Sequence, residues 1–209
     1  MLEQMTTTEY TPDSLLAGEI EVGEAVTILS GEGACVRGQL LGKVDRVAGT
    51  PAAGTNTGNG TVTAVSLGTK SKLGTYTLKC VATAGNGGTF AVIDPDGYAL
   101  QAQATVGTPF TSGHLNFTVN DGATDFALND TFTIAVGSGS GKYRKYNAAN
   151  VDGSQFPSAI LAADVDATSA DKPAPAYVAG VFNSLALTGY ASSLKAGLRT
   201  LGIFIKTNV

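Results

Sequence analysis

Residues 49–60 read Gly-Thr-Pro-Ala-Ala-Gly-Thr-Asn-Thr-Gly-Asn-Gly, a composition that is typical of a flexible linker. A second stretch of glycine and serine follows at residues 137–141. Two such stretches around a compact block are expected where one domain is inserted into a surface loop of another. The sequence therefore predicts linkers at residues 49–58 and 138–141, with an inserted domain at residues 59–137 between them.

The predicted insertion contains short runs of alternating apolar and polar residues, separated by turn sequences. Tyr76, Leu78 and Cys80, for example, fall on one face of a strand. Regularly spaced short strands of this kind are typical of a small β-sandwich. The predicted strands span residues 61–66, 75–82, 90–93, 115–119 and 132–136, and the turns are Asn86-Gly87-Gly88, Asp94-Pro95-Asp96-Gly97 and Asn120-Asp121-Gly122.

The segments on either side, residues 15–48 and 142–209, predict one discontinuous β-rich domain with a short helix. Ile20 and Val22 alternate with two glutamates, which predicts a strand whose aliphatic side chains face the core. Glu19 and Glu21 then lie on the solvent face, without the intervening pocket of a glycosidase carboxylate pair. Further strands are predicted at residues 158–163, 176–187 and 201–206, and the helix at residues 192–199.

Composition excludes several classes of partner. Charged residues make up 14% of the chain, against roughly 25% in typical soluble proteins. The net charge of -4 argues against nucleic-acid binding, and the one basic run, Lys142-Tyr143-Arg144-Lys145, is better explained as a solvated strand end. No run of apolar residues is long enough to predict a membrane span, and the first residues lack the features of a secretory signal, so we expect a protein kept in the cytoplasm.

The chain carries few residues that could perform catalysis or bind a metal. His114 is the only histidine, which removes a histidine-based metal triad and most general-base schemes. Cys35 and Cys80 lack the short spacing of a metal site and are predicted to be buried free thiols. Residues 137–142 do not match a phosphate-binding loop, because Val136 and Tyr143 stand where that motif needs glycine and a hydroxyl residue. The sequence therefore predicts no enzyme, no cofactor and no metal.

The first fourteen residues are polar and rich in threonine, with little to bury in a core. This composition predicts an N-terminal arm that becomes ordered only on a partner protein. The β-favouring run Thr6-Thr7-Thr8, with Tyr10, suits a strand that adds to an exposed sheet edge.

Several segments outside the insertion follow one another in a characteristic order. They are Tyr10-Thr11-Pro12-Asp13, residues 23–29, Lys145-Tyr146-Asn147, Asp152-Gly153-Ser154, Ala159-Ile160-Leu161-Ala162, residues 178–187, and the ending at residues 194–205. In order and character these segments resemble the lambda-type head decoration proteins of tailed bacteriophages. The inserted block has no counterpart in that family's pattern. Its passages at residues 74–78 and 125–132 resemble Ig-like domains of phage surface proteins, which implies an Ig-like β-sandwich for the insertion.

The resemblance implies a structural virion protein, assembled in the host cytoplasm, that binds the outside of the expanded capsid as a homotrimer at local three-fold axes. Its implied role is to stabilise the capsid against the pressure of packaged DNA, and its implied partners are the major capsid protein and its own copies. The capsid-binding arm would then comprise Thr6, Thr7, Thr8, Glu9, Tyr10 and Thr11. The arm could pair with the capsid protein or with a neighbouring decoration subunit.

Two roles are open for the insertion: a displayed spacer or adhesin for host or environmental glycans, or a contact between neighbouring trimers. Tyr98 and Phe110 are predicted to lie in loops and are the candidate ligand contacts, with core packing as the alternative for Phe110. Two other functional classes stay open for the whole chain. A tail-tube or head-completion protein would share the β-rich, weakly charged character. A glycan-degrading enzyme is disfavoured, because the sequence lacks a converging pair of acidic residues.

Overall fold

The computed structural model describes residues 14–207. Strands make up 54% of the structure and helices 6%, which confirms the prediction of a mainly β protein with one short α-helix. None of the helices in this range is long and apolar enough to cross a membrane. The predicted arm, residues 1–14, lies outside the described residues except for Ser14.

Strands account for nearly all the regular elements of the chain. In chain order they are β1 (Leu16–Ile28), β2 (Ala34–Cys35), β3 (Leu40–Lys43), β4 (Arg46–Ala53), β5 (Thr61–Leu67), β6 (Gly74–Ala84), β7 (Gly87–Ile93), β8 (Ala99–Thr105), β9 (Pro109–Thr111), β10 (Leu115–Asn120), β11 (Thr131–Ser138), β12 (Tyr143–Lys145), β13 (Pro157–Leu161), β14 (Val165–Asp166), β15 (Lys172–Asn183) and β16 (Ile203–Lys206). The helices are α1 (Lys195–Thr200) and two 3₁₀ turns, Ser184–Ala186 and Ser192–Leu194.

The chain divides into two compact units, and the first of them is discontinuous. The first unit comprises Met1–Leu41 and Ser158–Val209, and the second comprises Gly42–Pro157. The second unit is therefore larger than the inserted domain predicted at residues 59–137. The predicted linkers account for part of the difference, because residues 46–53 form β4 and β11 continues to Ser138.

Close strand packing explains the presence of Gly49 in a segment that resembles a linker. β4 pairs antiparallel with β11, and Pro51 lies opposite Ile134. Gly49 lies at a register shift in this pairing, where a Cβ atom would approach the Ala135 carbonyl oxygen to 2.8 Å. Glycine at a bulge permits such an approach, so this residue serves packing rather than flexibility.

In the first unit, β15 is a central strand that pairs with three others. It pairs antiparallel with β1 and β13 and parallel with β16. β2 and β14 form a separate two-stranded pair. The buried side chains come from every part of the unit, and α1 contributes Leu198. The largest fully buried ones include Leu15, Ile28, Leu40, Ile160 and Phe182.

The structure corrects one prediction for β1. Glu19 and Glu21 are exposed as predicted, but Ile20 is 76% and Val22 49% exposed in the single chain. β1 shifts register against β15 between Leu16 and Glu21, and residues 18–25 are exposed on both faces of the strand. Alternation indicates two different faces, but it does not show that either face is covered.

The second unit contains two sheets that share one apolar core. The five-stranded sheet has the order β4-β11-β6-β7-β8, and the three-stranded sheet has the order β5-β10-β9. Tyr76, Leu78 and Cys80 of β6 are buried, which confirms the alternation predicted for that strand. All five strands predicted for the insertion are present, as β5, β6, β7, β10 and β11, and each is longer than predicted by a few residues. Strands β8 and β9 were not predicted. The specific Ig-like assignment stays a prediction.

Both cysteines are buried free thiols, as predicted. Cys35 lies in β2 and Cys80 in β6. Burial raises the pKa of the Cys80 thiol, and the nearby Asp130 carboxylate adds to this effect. A raised pKa disfavours the reactive thiolate, which fits a packing role for Cys80.

Candidate functional site

The predicted arm residues Thr6, Thr7, Thr8, Glu9, Tyr10 and Thr11 lie outside the described residues. The structure does show how the chain that follows them joins the first unit. Leu15 is buried, and the Asn183 backbone N–H donates to its carbonyl oxygen at 2.9 Å. The Asn183 side-chain amide also donates to the Ser14 carbonyl oxygen at 3.1 Å. The base of the arm is therefore fixed to the end of β15.

Asn183 performs a further structural task that the sequence analysis missed. Its side-chain oxygen accepts a hydrogen bond from the Leu185 N–H at 3.1 Å and caps the 3₁₀ turn Ser184–Ala186. Asparagine at the start of a helical turn commonly caps it in this way. The Asn-Ser pair after a long apolar run is the sequence signal that could have indicated this role.

Tyr98 is 71% exposed and follows the turn between β7 and β8. Its backbone N–H donates to the Asp94 carboxylate at 2.9 Å, and its carbonyl oxygen accepts from the Asp94 N–H at 2.8 Å. The Lys72 ammonium donates to Asp94 at 2.6 Å and to Asp96 at 2.5 Å. This ion pair is the main reason why the pKa of Asp94 is lowered and that of Lys72 raised. The phenol of Tyr98 is thus presented on a firmly bonded turn.

Phe110 does not lie in a loop. It belongs to the three-residue strand β9 and is only 6% exposed. Its ring packs against Phe117 with a centroid separation of 4.8 Å. Phe110 is therefore packed in the core, which was the alternative to a loop position. Its burial is incompatible with an outward contact by this side chain.

His114 has a structural partner in the second unit. Its Nδ1 atom lies 3.0 Å from the hydroxyl oxygen of Tyr76, which is fully buried. The same oxygen accepts a hydrogen bond from the Lys72 backbone N–H at 2.9 Å. Desolvation is the main reason why the pKa of Tyr76 is raised. The histidine is half-buried and lies directly before β10.

Asp130 is a buried carboxylate that also has a structural role. It accepts hydrogen bonds from the backbone N–H groups of Thr57 at 2.9 Å, Gly58 at 2.9 Å and Ala127 at 3.0 Å. Burial alone would raise the pKa of Asp130, but these hydrogen bonds outweigh it and hold the pKa below its usual value. Within residues 14–207 no group of three or more His, Cys, Asp or Glu residues could hold a metal ion.

The first unit exposes several large apolar side chains that suit contact with protein. Ile20 is 76%, Leu185 74% and Phe204 46% exposed. The same unit has an open groove of about 670 Å³ on the surface of the paired strands β1 and β15, lined mainly by alanine and proline, with Glu24 and Tyr177. Exposed apolar surface that is interspersed with charge is typical of protein–protein interfaces.

Comparison with solved structures finds distant similarity. Two crystal forms of FlgL from Xanthomonas campestris match with TM-scores of 0.33 and 0.32 and sequence identities of 19% and 21%. The matches cover 53% and 54% of this chain but only 34% and 31% of FlgL. Similarity at this level carries no argument about fold or function. No curated protein sequence matches the chain.

The family comparison is much more extensive. The model of the bacteriophage lambda head decoration protein D family matches residues 5–202. This range includes the segments on both sides of the second unit as well as that unit itself. The match spans nearly the whole chain, and the protein therefore belongs to the family of the bacteriophage lambda head decoration protein D.

Proposed function

We propose that this protein binds the exterior of the expanded phage capsid as a homotrimer at local three-fold axes and stabilises the capsid against internal DNA pressure. The family match over residues 5–202 carries the proposal, since it identifies a structural protein of the phage head. It favours head decoration over the tail-tube and head-completion alternatives. The major capsid protein and further copies of the chain are the partners.

Mass action provides the mechanism of stabilisation. A protein that binds the expanded lattice and not the ruptured one stabilises the expanded lattice by RT ln(1 + [L]/Kd), where [L] is the concentration of free decoration protein. This free energy is about 2.7 kcal/mol per site when [L] is a hundred times Kd. A trimer that holds three arms makes each later contact intramolecular, so weak individual contacts give a high overall affinity. The stabilisation at each binding site adds to that at the other sites on the same capsid.

The arm supplies the main capsid contact in this proposal. The residues concerned are Thr6, Thr7, Thr8, Glu9, Tyr10 and Thr11. Threonine and tyrosine favour extended backbone, which suits addition to an exposed edge of a capsid sheet. The two hydrogen bonds of Asn183 to Ser14 and Leu15 support this role, because they anchor the arm where it leaves the first unit.

Co-sedimentation with isolated expanded heads tests the arm. Deletion of residues 1–11 is expected to abolish binding while leaving the circular dichroism spectrum and the unfolding midpoint unchanged. Replacement of Thr6, Thr7 and Thr8 by glycine should weaken binding, and replacement by valine, which keeps the β-propensity, should preserve it. Full binding by the deleted protein would refute the role of the arm.

The second unit is proposed to be displayed on the outer surface of the virion, where Tyr98 contacts a glycan of the host or the environment. The 71% exposure of this phenol on a bonded turn supports the proposal. Tyr98→Ala should abolish retention on the glycans that the intact protein binds in an array. The matched control is Leu128→Ala, which also removes an exposed side chain of this unit (59% exposed) and should bind normally. Equal retention of the two variants would contradict the contact.

A further inference from the structure

β1 carries both acidic and apolar side chains that are exposed. Ile20 is 76% and Val22 49% exposed. The flanking carboxylates of Glu19, Glu21 and Glu24 are exposed and form no ion pair within residues 14–207. We call these five residues the acidic strip.

A second surface of the same unit has the opposite charge. Lys195 and Arg199 of α1 and Lys206 of β16 are exposed, and they too form no ion pair in the described part of the chain. They surround a groove of about 280 Å³ that also contains Phe204, which is 46% exposed, and Ile205. We call these five residues the basic groove.

Strand pairing places the two surfaces on opposite sides of β15. Gly180 of β15 lies opposite Glu21 of β1 on one side and opposite Ile203 of β16 on the other. Phe182 likewise separates Leu16 from Ile205. One strand therefore separates β1 from β16 in a single copy, a spacing of roughly 10 Å between them. A second copy can bring its strip to the groove of the first.

We propose that the acidic strip of one copy binds the basic groove of a second copy, and that this head-to-tail contact, repeated three times, closes the trimer. The inference rests on the proposed trimeric function and identifies the surfaces that form it. Each contact would bring the carboxylates of Glu19 and Glu21, which lie on one face of β1, to the three cations of the groove. Charge complementarity of this kind fixes orientation, and a contact between two different surfaces generates a closed ring when the rotation is 120°.

A cysteine pair tests the contact. The variant Glu21→Cys/Arg199→Cys, oxidised gently either at high protein concentration or on expanded heads, should give disulfide-linked dimers and trimers on a non-reducing gel. The native thiols are buried and should not contribute. Each single variant should remain monomeric on the same gel, because the strip meets the groove and not another strip. A ladder from a single variant, or no ladder from the pair, would overturn the proposal.

Charge reversal provides an independent test in the same pair of conditions. Glu19→Lys/Glu21→Lys and Lys195→Glu/Arg199→Glu should each lose the trimer by native mass spectrometry or crosslinking on heads, and the fourfold variant should regain it. Leu185→Asp, at an exposed site of this unit outside both surfaces, should leave the trimer intact. Reversals that abolish head binding but leave self-association intact would assign these surfaces to the capsid protein and overturn the proposal.

Capsid binding by the unaltered protein separates this inference from the proposed function. If the unaltered protein binds heads but the cysteine pair gives no ladder, the interface is wrong and decoration stands. If the ladder forms but heads are not bound, the interface stands and decoration fails.

Discussion

Asp130 joins two loop segments of the second unit, because its carboxylate accepts backbone hydrogen bonds from Thr57, Gly58 and Ala127. Asp130→Asn replaces one accepting oxygen by a donor that faces N–H groups. We expect a loss of about 2 kcal/mol in the free energy of unfolding, measured with urea. The control Asp125→Asn alters an exposed carboxylate with one backbone partner, and should change the free energy by less than about 0.5 kcal/mol. Equal effects of the two substitutions would contradict the assigned role of Asp130.

The pH dependence of stability follows from the same carboxylate. The pKa of Asp130 is lower in the folded protein than in the unfolded chain, so the unfolded state binds more protons in the interval between the two values. The stabilisation is complete above the unfolded value of about 3.9 and is lost as the pH falls through the folded pKa. Urea midpoints measured from pH 6 down to pH 2 should fall more steeply for the unaltered protein than for Asp130→Asn. Parallel curves would show that Asp130 does not contribute.

The positions of the two candidate loop aromatics show the limit of single-residue prediction. The turn Asp94-Pro95-Asp96-Gly97 is explicit in the sequence, and Tyr98 is exposed beside it. Phe110 lies in a strand of three residues, which is too short for an alternating pattern to reveal. Its burial depends on the ring of Phe117 in the neighbouring strand, a contact that no local pattern encodes.

Among the elements, β4 was the hardest to predict from sequence. Its Gly, Thr, Pro and Ala residues are those of a linker, and its strand character comes from pairing with β11. Strands with strong local patterns, such as β6 and β10, were predicted within a few residues. The helix was also predicted correctly, since the 3₁₀ turn Ser192–Leu194 runs directly into α1.

Glycine substitution distinguishes a paired strand from a flexible linker. Gly49→Ala would place Cβ 2.8 Å from the Ala135 carbonyl oxygen and force the strands apart. We expect this change to destabilise the protein by about 1–3 kcal/mol in urea unfolding. A flexible linker would instead gain stability from the stiffer unfolded chain. The matched control is Gly137→Ala on β11, where a Cβ meets nothing within 4 Å, and it should be close to neutral.

For the whole molecule, the sequence indicated an interrupted β-rich protein and, by resemblance, its family. The segments that carry the resemblance lie near both ends of the chain, and the family match over residues 5–202 includes most of them. The surfaces proposed for assembly could not be found in the same way. They depend on which strands flank β15, and the pairing of Gly180 with both Glu21 and Ile203 is visible only in the folded chain.

Electron cryo-microscopy of heads mixed with the purified protein tests decoration itself, with expanded and unexpanded heads compared side by side. We expect three copies of the chain around each local three-fold axis of the expanded head and none on the unexpanded one. Density at other positions, or equal occupancy of both kinds of head, would contradict a trimer that stabilises the expanded capsid.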